Sequence, residues 1–149
     1  MYCKRLIDNY LSEWASRDTH KPVLLRGARQ VGKSTAVKEL SKKFDSFVEI
    51  NFEKQPKYKI LFDDDLDVKR IVPQISAIYG TSIKPGQTLL FLDEIQECPR
   101  AIMALRFFKE DMPELHVIAA GSLLEFALKE LPTFGVASIH TLFMYTTPS

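Results

Sequence analysis

Cysteine is scarce in this sequence: Cys3 and Cys98 are the only two, far apart and outside any C-x-x-C or Cys/His cluster. That excludes a disulfide framework and a cysteine-based zinc site, and it fits a reducing, cytoplasmic setting. Net charge is scarce as well. Twenty basic residues nearly cancel nineteen acidic ones, leaving a formal charge of +1. The chain as a whole therefore has no field that would draw it to nucleic acid or an anionic membrane, and no basic-aromatic patterning points to nucleic acid either. Long apolar runs are missing too: Met1 to Arg17 carries charged or polar groups every few residues, too often for a signal peptide or a membrane span. A soluble intracellular protein is expected. No internal repeat or low-complexity tract is present. The nearest is Asp63-Asp64-Asp65, read as a solvated loop or helix terminus. His20, His116 and His140 are scattered without ligand spacing, so ordinary core or surface roles are expected of them.

What is present suffices for one core. At 149 residues with 46% hydrophobic content, a single domain is the expectation, and a second would not fit comfortably. Leu6, Ile7, Tyr10, Leu11 and Trp14 recur at three- and four-residue spacing, the face of an N-terminal amphipathic helix within residues 1–17. Pro22 to Arg26 reads as a strand, Lys33 to about Lys43 as a helix, and Phe47 to Phe52 as a second strand. After Pro56 two helical stretches are predicted, the better being Val68 to Tyr79, with Pro73 either kinking it or in its first turn. The apolar runs Thr88 to Leu92 and Leu115 to Ala120 suit strands covered on both faces, and Pro99 suits the first residue of a helix between them. Leu123 to Glu130 looks helical, and Ile139 to Tyr145 suits a last strand. Strands alternating with helices predict an α/β fold with a parallel sheet layered between helices.

Gly27-Ala28-Arg29-Gln30-Val31-Gly32-Lys33-Ser34 matches G-x-x-x-x-G-K-[ST] in full, between a predicted strand and a predicted helix. Glycines let backbone N–H groups curl around a phosphate, and the following helix presents its unpaired N–H groups and the positive end of its dipole. The loop, with Thr35 in the helix it opens, is thus a candidate phosphate-binding set. Lys33 is placed to meet the β- and γ-phosphates, and Ser34 offers a hydroxyl to Mg²⁺, which takes hard oxygen ligands.

The run Leu89 to Leu92 delivers Asp93-Glu94 to the same sheet edge. Asp93 is the expected second metal residue, and Glu94 the expected general base polarising a water toward the γ-phosphate. Two acids after an apolar strand often do no more than cap the next helix; the upstream loop favours the chemical reading. The next strand ends in Gly121-Ser122. Ser122 is a candidate sensor that hydrogen-bonds the attacking water or γ-phosphate, and equally a helix N-cap whose capping box Glu125 completes. Glu53, ending the second strand on that edge, is a weaker candidate for water or metal contact. Arg29 lies within the loop, whereas solvated or ion-paired roles suit Arg100 and Arg106 better.

Together, Arg26 to Ser34, Asn51-Phe52-Glu53, Phe91 to Gln96 with Pro99, and Ala120 to Leu124 resemble the prokaryotic AAA-plus-superfamily ATPases that pair an ATPase core with a C-terminal domain of unknown function. The resemblance implies an AAA-like P-loop core with Ser122 as its first sensor. It also implies ATP and ADP as ligands, in the absence of a guanine-selecting N-K-x-D pattern, and a homo-oligomer or protein partner able to lend an arginine. Members usually continue with a glycine-arginine pair and a second domain; here Ala137-Ser138 stand at the pair's place, and the chain ends at Ser149. Lid and second domain are therefore expected to be absent, and intrinsic hydrolysis to be slow. Three functional classes remain open: a weak Mg²⁺-dependent ATPase, a non-hydrolysing nucleotide-dependent interaction module or remnant, and a small-molecule kinase, the last disfavoured because no arginine-rich lid is seen.

Overall fold

Continuous apolar runs in the inner strands present two buried faces, and apolar residues at three- to four-residue spacing in the helices give each of those faces a layer to pack against. The computed structural model describes residues 2–28, 32–129 and 139–143. Five strands, β1 (Val23–Arg26), β2 (Ser46–Asn51), β3 (Thr88–Asp93), β4 (His116–Gly121) and β5 (His140–Phe143), form one sheet in the order β2-β3-β4-β1-β5, with all pairs parallel. Five α-helices accompany them among the described residues: α1 (Tyr2–Ala15), α2 (Lys33–Ser41), α3 (Val68–Tyr79), α4 (Pro99–Asp111) and α5 (Glu125–Lys129). This is the α/β architecture expected from the alternating pattern.

Each inner strand divides its side chains between two cores. Val23, Leu25, Leu89, Phe91, Ile118 and Ala120 pack against Ile7, Leu11 and Trp14 of α1 and Ala36, Val37 and Leu40 of α2. The alternate residues Leu24, Leu90, Leu92, Val117 and Ala119 face Ile71 and Ile75 of α3 and Ile102, Leu105 and Phe108 of α4. Full burial of such a side chain is worth about 1.5–3 kcal/mol, so neither helical layer can leave without large loss. The two layers follow from chain direction. The connection from β1 to β2 runs one way along the sheet, those from β2 to β3 to β4 run back, and right-handed crossovers then place their helices on opposite faces.

Several predicted elements differ in detail. The first stretch after Pro56 is a 3-10 helix, Pro56–Phe62, that buries Leu61 and Phe62. Pro73 lies inside α3 rather than in its first turn, on an exposed face, while Asp67 caps that helix by accepting from Lys69 N. Asp63 and Asp64 sit in the exposed segment between those elements. The predicted helix from Leu123 begins only at Glu125, because Leu123 has a left-handed backbone with φ 53°. Glu130, Pro132, Phe134 to Ser138, Met144 and Tyr145, on which other expectations rested, lie outside the described residues. Among the described residues no helix is long and apolar enough to cross a membrane.

The histidines read as scattered are partly brought together. His20, just before β1, and His116, opening β4, stack with ring centroids 3.6 Å apart under Trp14 and Phe44. Both rings are buried; the Trp14 indole donates to Lys21 O at 2.8 Å, and His116 Nε2 meets Trp14 O at 3.3 Å. Burial first, then the neighbouring His116 and Arg17, pushes His20 down to about 4, and burial lowers His116 too. The unfolded chain takes up these protons near pH 6.5 and the folded chain only at lower pH, so stability is complete above that value and declines as pH falls toward about 4. Thermal melting between pH 7.5 and 4.5 should show a steady loss of Tm, and His20→Phe should flatten part of that slope.

Candidate functional site

The phosphate loop stands where the strand order reverses. β1 and β4 are neighbours whose outgoing connections run in opposite directions along the sheet, which opens a crevice at their C-terminal ends. The register brings the candidate residues to that edge. Arg26 pairs with Gly121 and Leu92 with Ala119, so Gly27, Asp93, Glu94 and Ser122 leave three parallel strands at similar height.

Gly32 precedes α2 with φ 91°, a left-handed conformation that L side chains rarely adopt, although a Cβ there would meet open space. Its glycine is thus required by backbone conformation, not by crowding. It turns the chain so that α2 starts at Lys33, the first intrahelical bond running from Ala36 N to Gly32 O at 3.0 Å. A helix so begun leaves the N–H groups of its first turn directed at the crevice. Lys33 is buried, and its Nζ donates to Gly27 O at 2.9 Å and Ala28 O at 2.8 Å, which holds the ammonium within the loop. Thr35 is exposed beside it, and a groove of about 510 Å³ between α1 and α2 is lined by Asp8, Ser12, Thr35, Glu39 and Lys43. Arg29, Gln30 and Val31 lie outside the described residues.

Ser34 Oγ donates to Asp93 Oδ2 at 3.0 Å, joining the loop helix to β3 across residues distant in sequence. Asp93 is buried, and its other oxygen accepts from Glu94 N at 2.9 Å. Glu94 adopts a left-handed φ of 52°, and its carboxylate accepts from Gln96 Nε2 at 2.7 Å; Gln96 Oε1 in turn accepts from Ser122 N at 3.3 Å. One continuous network therefore runs from Ser34 through Asp93, Glu94 and Gln96 to Ser122. Glu94 and Leu123 are the described non-glycine residues with positive φ, and both follow the ends of adjacent strands at this edge. Such strain, about 1–3 kcal/mol per residue, persists where the surroundings over-determine it and gathers at functional sites.

The Ser122 hydroxyl is buried and has no hydrogen-bond partner among the described residues, so it does not cap α5, which starts three residues on. The capping-box reading therefore gives way. Glu53 is exposed beyond β2, where Asn51 Oδ1 accepts from Glu53 N and Lys54 N. Arg100 donates to the carbonyls of Phe62 and Asp64, and Arg106 pairs with Glu110 at 2.8 Å, so both serve local structure. Among the described residues no three His, Cys, Asp or Glu side chains cluster as metal ligands. Gln96, two residues past Glu94, is the residue whose part in the network the sequence pattern did not reveal.

A family model described as an AAA domain matches residues 19–147, covering the glycine-bearing loop, β3 and β4. The chain belongs to the AAA domain family. No curated protein matches it. Among solved structures, this AAA domain is similar to a chain of Drosophila ORC bound to DNA (TM-score 0.65, 18% identity, 98% of this chain and 44% of that one). It is also similar to the Aeropyrum pernix ORC1 protein in complex with DNA (0.64, 12%, 99% and 45%) and to C. elegans PCH-2 (0.57, 16%, 100% and 43%). This chain spans less than half of each of those chains, and at such identities the likeness establishes the fold, an AAA-type P-loop core. DNA belongs to the two ORC structures. Family and fold together give a nucleotide-binding domain of the ATPase kind.

Because Gly32 carries a positive φ, Gly32→Ala should cost about 1–2 kcal/mol despite the open space. Urea unfolding of the two proteins measures that loss directly.

Proposed function

We propose that this AAA domain binds ATP through Gly27 to Thr35 and hydrolyses it, with Mg²⁺, to ADP and phosphate. The observation that carries the reading is the Ser34–Asp93 hydrogen bond, which brings the hydroxyl of the loop motif and the carboxylate of the acidic strand to one point. Both are hard oxygen donors of the kind Mg²⁺ accepts, so the pair fits that ion. Bound there, Mg²⁺ would neutralise charge on the β- and γ-phosphates.

The chain's own groups then divide the work. The first-turn N–H groups of α2 and the Lys33 ammonium hold the phosphates. The groove bordering Thr35, with Asp8, Ser12 and Glu39 as hydrogen-bonding groups, takes the nucleoside. Glu94 accepts a proton from a water whose oxygen bonds to the γ-phosphorus as the bond from that phosphorus to the β–γ bridging oxygen breaks and ADP departs. The Ser122 hydroxyl, buried and without a described partner, supplies a hydrogen bond to that water or to the γ-phosphate. With Arg100 and Arg106 engaged in their own fold, an arginine for the transition state comes from Arg29 or from a neighbouring copy of the chain.

Calorimetric titration of Mg²⁺·ATP should give saturable binding that Lys33→Ala abolishes. Glu94→Gln should retain that binding while steady-state phosphate release falls at least ~100-fold, the usual scale for losing a general base. Equal phosphate release in wild type and Glu94→Gln would contradict Glu94 as the base, and wild-type release no faster than the no-enzyme blank would contradict hydrolysis and leave a nucleotide-dependent interaction module.

A further inference from the structure

Gln96 sits in the 3-10 turn Ile95–Glu97 that follows the acidic pair, and its carboxamide is engaged at both ends. The backbone N–H of Ser122 can only donate, so the amide oxygen must face it. That assignment turns the NH₂ group toward the Glu94 carboxylate, which accepts at 2.7 Å. The sequence of β4 is fitted to this bridge: a Cβ built on Gly121 would stand 2.6 Å from Gln96 Oε1, so glycine at that position leaves the room the amide occupies. Ile95 and Leu124 close the space on its other sides, each 3.3 Å from the same built atom.

We propose that Gln96 is a positioning residue for the hydrolytic step, aiming the Glu94 carboxylate and tying its orientation to the turn that presents Ser122. The proposal rests on the hydrolytic reading above. The two ends of the bridge are the group that takes the proton from water and the turn whose hydroxyl faces the γ-phosphate. A shift of the Ser122 turn on phosphate contact is therefore passed to Glu94 through one rigid amide. Both turns carry left-handed residues, Glu94 and Leu123; Glu94 N donates to Asp93 Oδ1, and Ser122 N, just before Leu123, donates to Gln96 Oε1.

Two substitutions perturb the bridge from different sides. Gln96→Glu keeps the shape and the oxygen that accepts from Ser122 N but removes the donor to Glu94. Gly121→Ala leaves Gln96 in place chemically and forces its oxygen aside. Each should lower kcat about 10- to 100-fold, the scale of a misaimed catalytic group, with KM and Mg²⁺·ATP affinity changed less than about threefold. The double variant should be no slower than the slower single one, because both act through the same amide. In nucleotide-free protein, the Gln96 side-chain amide resonances should move in Gly121→Ala and in Glu94→Gln alike. Wild-type turnover above that of Glu94→Gln, combined with a Gln96→Glu kcat within twofold of wild type, would overturn the positioning role alone. So would multiplicative losses in the double variant, or amide resonances indifferent to both substitutions. Wild-type phosphate release no faster than the no-enzyme blank would overturn the hydrolytic reading and this role together, and release above that blank but equal in Glu94→Gln would overturn Glu94 as the base and this role with it.

Discussion

A hydroxyl and a carboxylate nearly sixty residues apart in sequence meet at 3.0 Å, and the rest of the site depends on that meeting. Ser34 arrives on the first turn of α2 and Asp93 on the last residue of β3, so the contact locks the phosphate loop to the acidic strand. β4 lies between β1 and β3, and its end is built from Ala119, Ala120 and Gly121, the smallest side chains available. Burial of Asp93 gives the contact weight, since a buried carboxylate is costly without hydrogen-bond partners. Asp93 has two, Ser34 Oγ and Glu94 N, and the second shapes the turn that carries Glu94.

The sheet supplies the rigidity that this arrangement needs. Three adjacent parallel strands whose side chains are buried on both faces end at one edge, and a slip of one residue in any of them would exchange its two cores. That constraint transmits packing far from the site into its geometry. Trp14, near the C-terminal end of α1, packs on the stacked His20 and His116 at the opposite end of the strands from the loop and helps hold β1 and β4 in register.

Much of this was legible in the sequence, for identifiable reasons. Leu89 to Leu92 and Val117 to Ala120 are continuous apolar runs because helices cover both faces, and Gly32-Lys33-Ser34 reads as a helix start because few residue types tolerate that backbone. The parallel fold followed from the alternation of elements. What stayed hidden depends on register rather than on local pattern. His20 and His116 stack only because β4 pairs with β1; neither carries a local sign of the other. Ser122 followed by Glu125 looked like a capping box, yet Leu123 turns left-handed and the helix starts later, leaving the serine hydroxyl uncommitted to the backbone. The Pro56–Phe62 segment has helical spacing but winds as a 3-10 helix, a difference of one hydrogen-bond step that side-chain periodicity does not resolve over seven residues. Gln96 belonged to the motif that marked the family resemblance, but its role emerges only when the ends of β3 and β4 are seen side by side.

The central claim is that Ser34 and Asp93 act as one unit, and a double-mutant cycle on Mg²⁺-dependent ATP affinity tests it most directly. Affinity for a fluorescent ATP analogue, measured with Mg²⁺ and with EDTA in wild type, Ser34→Ala, Asp93→Asn and the double variant, isolates the Mg²⁺-dependent gain in each. The account predicts that either single substitution removes most of that gain and that the double removes little more. Independent, multiplicative losses, or a Mg²⁺-dependent gain that survives both substitutions, would contradict it.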